Sequence, residues 1–195
     1  MRKATASGRA FTAVEILVVI ALLGLVALVV VPLVGSGTAV RAQAVVRSIT
    51  SDLALAQSEA QANQQRHAVV FDVTNSTYAV CRVLPPGAGE LYQPIAAPTF
   101  TGGVHVVNTA RSAFGGARIT AASFNGNPAE SVVIFDELGA PVLGPDSEDP
   151  GTGGTVRVQA GSTAYDIVVE PVTGRTTVRR VDAQAAGGAQ LAGGG

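Results

Sequence analysis

The chain is 195 residues long, 47% hydrophobic and only 14% charged, with 23 glycines and a single cysteine. That balance excludes an intrinsically disordered chain, which combines low hydrophobicity with high charge. One cysteine excludes an intrachain disulfide framework and a multi-cysteine metal centre. The net charge of −1 hides a segregation: three of the thirteen bases, Arg2, Lys3 and Arg9, and none of the fourteen acids lie in residues 1–10, leaving ten bases against fourteen acids beyond.

After this basic leader, residues 11–34 read FTAVEILVVIALLGLVALVVVPLV, with Glu15 as the only charge. Ile16 to Val34 is uncharged throughout. As a helix that run is about 28 Å long at ~1.5 Å per residue, close to the ~30 Å of a bilayer core. It exceeds the usual apolar core of a signal peptide, and a soluble helix of that length keeps a polar face. Residues 11–34 are therefore predicted to span a membrane. With the basic leader on one side and Arg41 as the next charge on the other, residues 1–10 are expected in the cytoplasm and residues 35–195 across the membrane.

Glu15 is the anomaly, because a carboxylate near the hydrocarbon boundary costs on the order of 1 kcal/mol or more without a partner. No Lys, Arg or His lies within the span. Two readings stay open. The side chain snorkels to the headgroups, or removal of the leader creates an α-amine at Phe11, one helical turn away, that pairs with Glu15 of the same or a neighbouring chain. Gly24 and Pro32 are candidate kinks, costing a helix interior about 1 and about 3 kcal/mol relative to alanine and tolerated in membrane helices whose neighbours satisfy the freed groups.

Residues 8–19, GRAFTAVEILVV, resemble the N-terminus of type IV prepilins and type II secretion pseudopilins. In that family a short basic leader is cut on the cytoplasmic face, the new N-terminal Phe is N-methylated, and a Glu follows four residues later. Phe11 and Glu15 match, Thr12 fits the polar second position, and Pro32 stands where a helix-kinking proline is common. The chain departs at the junction, with Ala10 where the family usually has Gly; Gly8 is an alternative cut point. The resemblance implies cleavage between Ala10 and Phe11 by a prepilin peptidase, N-methylation at Phe11, and assembly through Phe11 and Glu15 with other pilins or pseudopilins. It implies a bacterial cytoplasmic (inner) membrane location, single-pass, with the C-terminal domain in the periplasm.

Gly35-Ser36-Gly37 is predicted to be a flexible joint. A second helical stretch follows, roughly 38–64, with Val45, Val46, Ile49, Leu53, Ala56 and Ala60 at helical spacing and Arg47, Asp52, Gln57 and Glu59 largely elsewhere. The narrow, alanine-rich stripe suits close packing on a sheet, so residues 35–66 are expected to continue the helix in amphipathic form. SDLALAQSEAQANQQRHAVVF (51–71) resembles more specifically the minor pseudopilin group called GspH/FimT.

The period then switches to two. HAVVFDV (67–73) and YAVCRVL (78–84) flank Thr74-Asn75-Ser76-Thr77 and predict a hairpin. Residues 86–103, rich in Pro, Gly and Ala, are expected to be loop. Short runs at 104–107, 132–135, 155–159, 165–170 and 176–181 predict further strands. The fold class expected is α+β, a long N-terminal helix packed on an antiparallel β domain of one or two sheets covering residues 67–182. FDELGAPV (135–142) and EPVTGRTTV (170–178) resemble the closing strands of the GspH/FimT group. Residues 183–195, uncharged and dominated by alanine and glycine, are expected to be a flexible tail.

Little in the chain points to catalysis. His67 and His105 sit outside any HExxH pattern, and neither a Walker loop nor a dinucleotide loop is present. Both are expected to be strand or turn residues, and Cys81 a small core residue. No cofactor, metal or catalytic residue is expected, and the chain reads as a substrate of the prepilin peptidase and not as an enzyme. Asp146, Glu148 and Asp149 offer the oxygen ligands Ca²⁺ takes, but without EF-hand spacing they are read as a solvated loop. Arg175, Arg179 and Arg180 form a basic cluster suited to phosphates, against the simpler reading of a solvated strand face. GRTTVRR (174–180) partly resembles the Gly-Arg-rich DNA-uptake motif of the FimT branch. The expected role is a minor pilin or pseudopilin of a type II secretion pseudopilus or type IV pilus. A FimT-like DNA-binding minor pilin in natural transformation is the alternative, and a secreted β protein cut near Gly37 is a third.

Overall fold

The computed structural model describes residues 12–182 except 88, 99, 101 and 112–115, with residues 26–39 described as backbone only. The expected leader, the Ala10–Phe11 junction, Phe11 itself and the tail 183–195 lie outside the described residues. The chain divides into two compact units, residues 1–37 and 38–195.

One helix, α1 (Ala13–Asn63), precedes ten strands. Thr12 caps its start: the Glu15 N–H donates to Thr12 Oγ1 at 3.3 Å, satisfying one of the orphan donors of the first turn. At the other end Gln64 takes a left-handed φ of 51°, and the Gln65 N–H reaches the Ala60 carbonyl at 3.2 Å, the hydrogen bond of a Schellman stop. Gly24 and Pro32 both fall inside α1. So does Gly35-Ser36-Gly37, which corrects the expected joint. Continuing a helix through two glycines costs about 1 kcal/mol each, less than breaking it and nucleating a second one. The unit boundary nevertheless falls at the end of that triplet.

In the second unit, β1 (His67–Asp72), β2 (Thr77–Val83), β3 (Tyr92–Pro94), β4 (Val106–Asn108), β6 (Val132–Phe135) and β7 (Pro141–Val142) form one antiparallel sheet. Its order is β3-β2-β1-β6-β7, with β4 also paired to β2. The other sheet has the order β10-β9-β8-β5, from β5 (Arg118–Phe124), β8 (Gly154–Ala160), β9 (Thr163–Val169) and β10 (Thr176–Asp182). The hairpin between β1 and β2 and the strands β6, β8, β9 and β10 match the expectation closely. β3 lies in the stretch expected to be loop, and β5 went unrecognised.

One core joins helix and sheets. Val45, Val46, Ile49, Leu53, Ala56 and Ala60 of α1 are all buried, in one cluster with Val69, Phe71, Tyr78 and Val80 of the first sheet and Phe124, Val156, Val158 and Ile167 of the second. Phe71 stacks on Phe124 with ring centroids 5.8 Å apart, tying β1 to β5. The alanines keep the helix face shallow, so the strands approach closely.

Candidate functional site

The N-terminal part of α1 is apolar and without cover: every residue from Thr12 to Leu25 is exposed, including Val14, Ile16, Leu17, Val18, Val19, Ile20, Leu22, Leu23 and Leu25. A water-facing helix does not keep large apolar side chains on all sides. Among the described residues, no helix is long and apolar enough to cross a membrane; the expected span 11–34 runs beyond the side chains described. Glu15 stands in the first turn of α1, where the helix dipole favours a carboxylate. Thr12-Ala13-Val14-Glu15 also has the Thr-x-x-Glu spacing of a capping box. That local role was legible in the sequence and missed there. Of the two residues expected to act in assembly, Glu15 is placed and Phe11 lies outside the described residues.

A second set of polar groups was not foreseen. Asp52, expected to lie off the apolar stripe, is buried against the sheet at 9% exposure. Tyr78 on β2 donates its hydroxyl to Asp52 Oδ2 at 2.6 Å. That uses the one phenolic proton, so Ser48 Oγ, 2.7 Å from the Tyr78 oxygen, donates to it. His105 Nε2 lies 3.0 Å from Asp52 Oδ1, but its approach is not aligned for a hydrogen bond. Phe100 covers the His105 ring at 4.5 Å between centroids. Burial, and after it the negative charge of Asp52, pushes the Tyr78 hydroxyl far above the ordinary phenol range. The cluster has the residue types of a proton relay, but it lies within the core, and its effect is to fix α1 to the sheet.

The remaining candidates resolve individually. His67 is buried at the start of β1, and its Nδ1–H donates to the Gln65 carbonyl at 2.9 Å, since a carbonyl only accepts. It borders an open polar recess of about 410 Å³ lined also by Glu59, Asn63, Arg82 and Gln93. Cys81 is buried, opposite Ala68 on β1; burial, with a smaller contribution from Glu90, pushes its thiol up to about 11. The acidic loop is held from inside: Arg66 donates to the Pro145 carbonyl at 2.6 Å and pairs with Glu148 at 2.5 Å. One of the three oxygen donors considered for Ca²⁺ is thus taken by a guanidinium. Among the described residues no cluster of three or more His, Cys, Asp or Glu is placed to hold a metal ion.

Arg175, Arg179 and Arg180 are all exposed; by register Arg175, opposite Glu170, and Arg179 keep one side, as period two predicts, and Arg180 takes the other. Arg175 precedes β10, in the turn where the Glu170 N–H donates to its carbonyl at 2.8 Å. Arg179 stands opposite Asp166 on β9, and Arg180 opposite Tyr165. Tyr165 belongs to the core cluster, so Arg180 lies on the core side of the sheet at its edge and Arg179 on the other side. Asp166 is itself engaged by Arg157, through Nε at 2.7 Å and Nη2 at 2.9 Å, which raises the Arg157 pKa further.

Neither a protein-family model nor a curated protein sequence matches the chain. Among solved structures, the chain is similar to the minor pseudopilin EpsH from the Type 2 Secretion System of Vibrio cholerae, with 16% identity over 73% of this chain and 97% of that one and a TM-score of 0.48.

Proposed function

We propose that the chain is a minor pilin or pseudopilin: a membrane-anchored structural subunit of a type II secretion pseudopilus or type IV pilus, cut between Ala10 and Phe11, methylated at Phe11, and without catalytic activity of its own. The observation that carries this reading is the exposure of every residue from Thr12 to Leu25 in a helix whose side chains are almost all apolar. Such a surface needs lipid or like helices around it. The motif at residues 8–19 adds the processing site and the acidic residue at the helix start. In the filament, apolar packing between helices supplies cohesion, and a pair between Glu15 and a Phe11 amine fixes the axial register, because a carboxylate among apolar helices is costly unless paired.

The test is Glu15→Ala. Membrane insertion is expected to be unchanged, since the substitution removes the only charge of the apolar run, while the amount of chain co-purifying with filaments drops severalfold. Co-purification equal to the unsubstituted chain contradicts the proposal. Thr12→Ala serves as the comparison: it removes the cap without touching the carboxylate and is expected to leave recruitment largely intact. DNA binding by Arg175, Arg179 and Arg180 remains the alternative role.

A further inference from the structure

We propose that the open edge of β10 accepts an extended polypeptide segment carrying two adjacent acidic residues, added as a fifth strand to the four-stranded sheet. Among the described residues β10 pairs with β9 alone, and nothing lies on its other side in the strand order. All seven residues from Thr176 to Asp182 pair with β9 in unbroken register. β10 contains no Pro and no bulge, two of the devices that blunt an edge; a third, charged side chains, is present as Arg179, Arg180 and Asp182. The strand at the opposite edge, β5, is interrupted by a bulge between Ile119 and Ala121.

The backbone pattern says which groups are available. The Glu170 N–H donates to the Arg175 carbonyl, and the hydrogen-bonded pairs of an antiparallel ladder alternate. Thr177, Arg179 and Val181 therefore turn their backbone groups to β9, while Val178 and Arg180 turn theirs to the open side.

The side chains say what is selected. Arg179 and Arg180 lie on opposite faces of the sheet, and two neighbouring residues of an added strand also point to opposite faces. Two adjacent acids thus meet one arginine each, one above and one below the sheet. A duplex or other polyanion lying on either face meets only one of them. A second copy pairing through β10 meets like charges in one register, Arg179 against Arg179, and opposite charges in another, Arg180 against Asp182. The arginines favour an acidic strand, a recognition mode in which main-chain bonds supply affinity and alternate side chains supply specificity.

The test uses the full chain in detergent micelles and three probes: the labelled peptide TVTDETVT, its counterpart TVTKKTVT, and a 20-base-pair DNA duplex. The acidic peptide is expected to bind at least about fivefold more tightly than the lysine peptide, from two cross-strand charge pairs. Arg179→Glu with Arg180→Glu is expected to reverse that preference. Val178→Pro, which removes an outward N–H without breaking the ladder to β9, is expected to abolish binding of both peptides. Equal affinity for the two peptides, no reversal in the double variant, or arginine-dependent binding of the duplex alone overturns the proposal. The reversal keeps the test decisive if Val178→Pro disturbs folding.

Discussion

Asp52 sits on a helix face made, apart from Ser48, of Val, Ile, Leu and Ala, and groups from two distant stretches, Tyr78 and His105, meet its carboxylate. A buried charge without such groups is costly. Tyr78→Phe removes the donor to Asp52 and the acceptor for Ser48, and it is expected to lower stability by about 1.5–3 kcal/mol, the range for a hydrogen bond to a charged group; urea unfolding at neutral pH measures it. Tyr78 and Cys81 are both acids whose neutral forms the fold favours, so the folded protein holds their protons to higher pH than the unfolded chain does. The stability they support is complete below the unfolded-state values and falls as pH rises past them. For Cys81 the window runs from 9.0, the ordinary thiol value, to about 11. Unfolding free energy is expected to fall between pH 9 and pH 11, and less steeply in Cys81→Ala. An equal slope in both proteins at 8.5, 9.5 and 10.5 contradicts the assignment. Asp52 was hidden in the sequence because its partners lie 26 and more residues away, and helical spacing alone places an acid beside an apolar stripe on the solvent side.

At the scale of elements, the helix was legible because six apolar residues repeat at its period, and all six are buried. The hairpin of β1 and β2 was legible because alternation and a polar turn coincide. β5 was not: Arg118–Phe124 reads RITAASF, with small residues at its centre and a bulge that breaks the alternation. Also illegible was the way α1 holds two turns of the β domain. Gln57 Nε2 donates to the Gly139 carbonyl at 2.6 Å and the Thr173 carbonyl at 3.0 Å, and Gln61 Nε2 donates to the Leu138 carbonyl at 2.8 Å. Gln57→Leu is expected to cost about 1–2 kcal/mol, chiefly by leaving the part-buried Gly139 carbonyl without its donor, with faster amide exchange in residues 138–140 and 173–175 and unchanged exchange in β1. Gly153 is a position that only glycine suits: its φ is +76°, and an added Cβ runs into the Val169 carbonyl. Gly153→Ala is expected to destabilise by about 2–3 kcal/mol, and a thermal midpoint equal to that of the unsubstituted protein contradicts the packing described.

The whole molecule combines a β domain with a well-buried core and a helix start that is exposed at every residue from Thr12 to Leu25. The two stretches differ in the surface they present. Residues 38–182 satisfy water, with charged loops outside and apolar strands inside; residues 12–25 present apolar side chains on every side, as lipid or like helices require. The long uncharged run after Glu15 was legible as an apolar helix, while the processing expected at the motif around Phe11 falls on residues outside those described. Period two already puts Arg179 and Arg180 on opposite faces of the predicted strand; what was not readable is the strand order that leaves β10 at the end of its sheet, because pairing joins distant segments. The central proposal is that the leader is removed at residue 10 and the new chain end works with Glu15. Intact-mass measurement of the chain extracted from bacterial membranes tests it most directly. The mass expected is that of residues 11–195 with one added methyl group on Phe11. A chain that keeps residues 1–10, or one that begins near Thr38 without the apolar run, contradicts it.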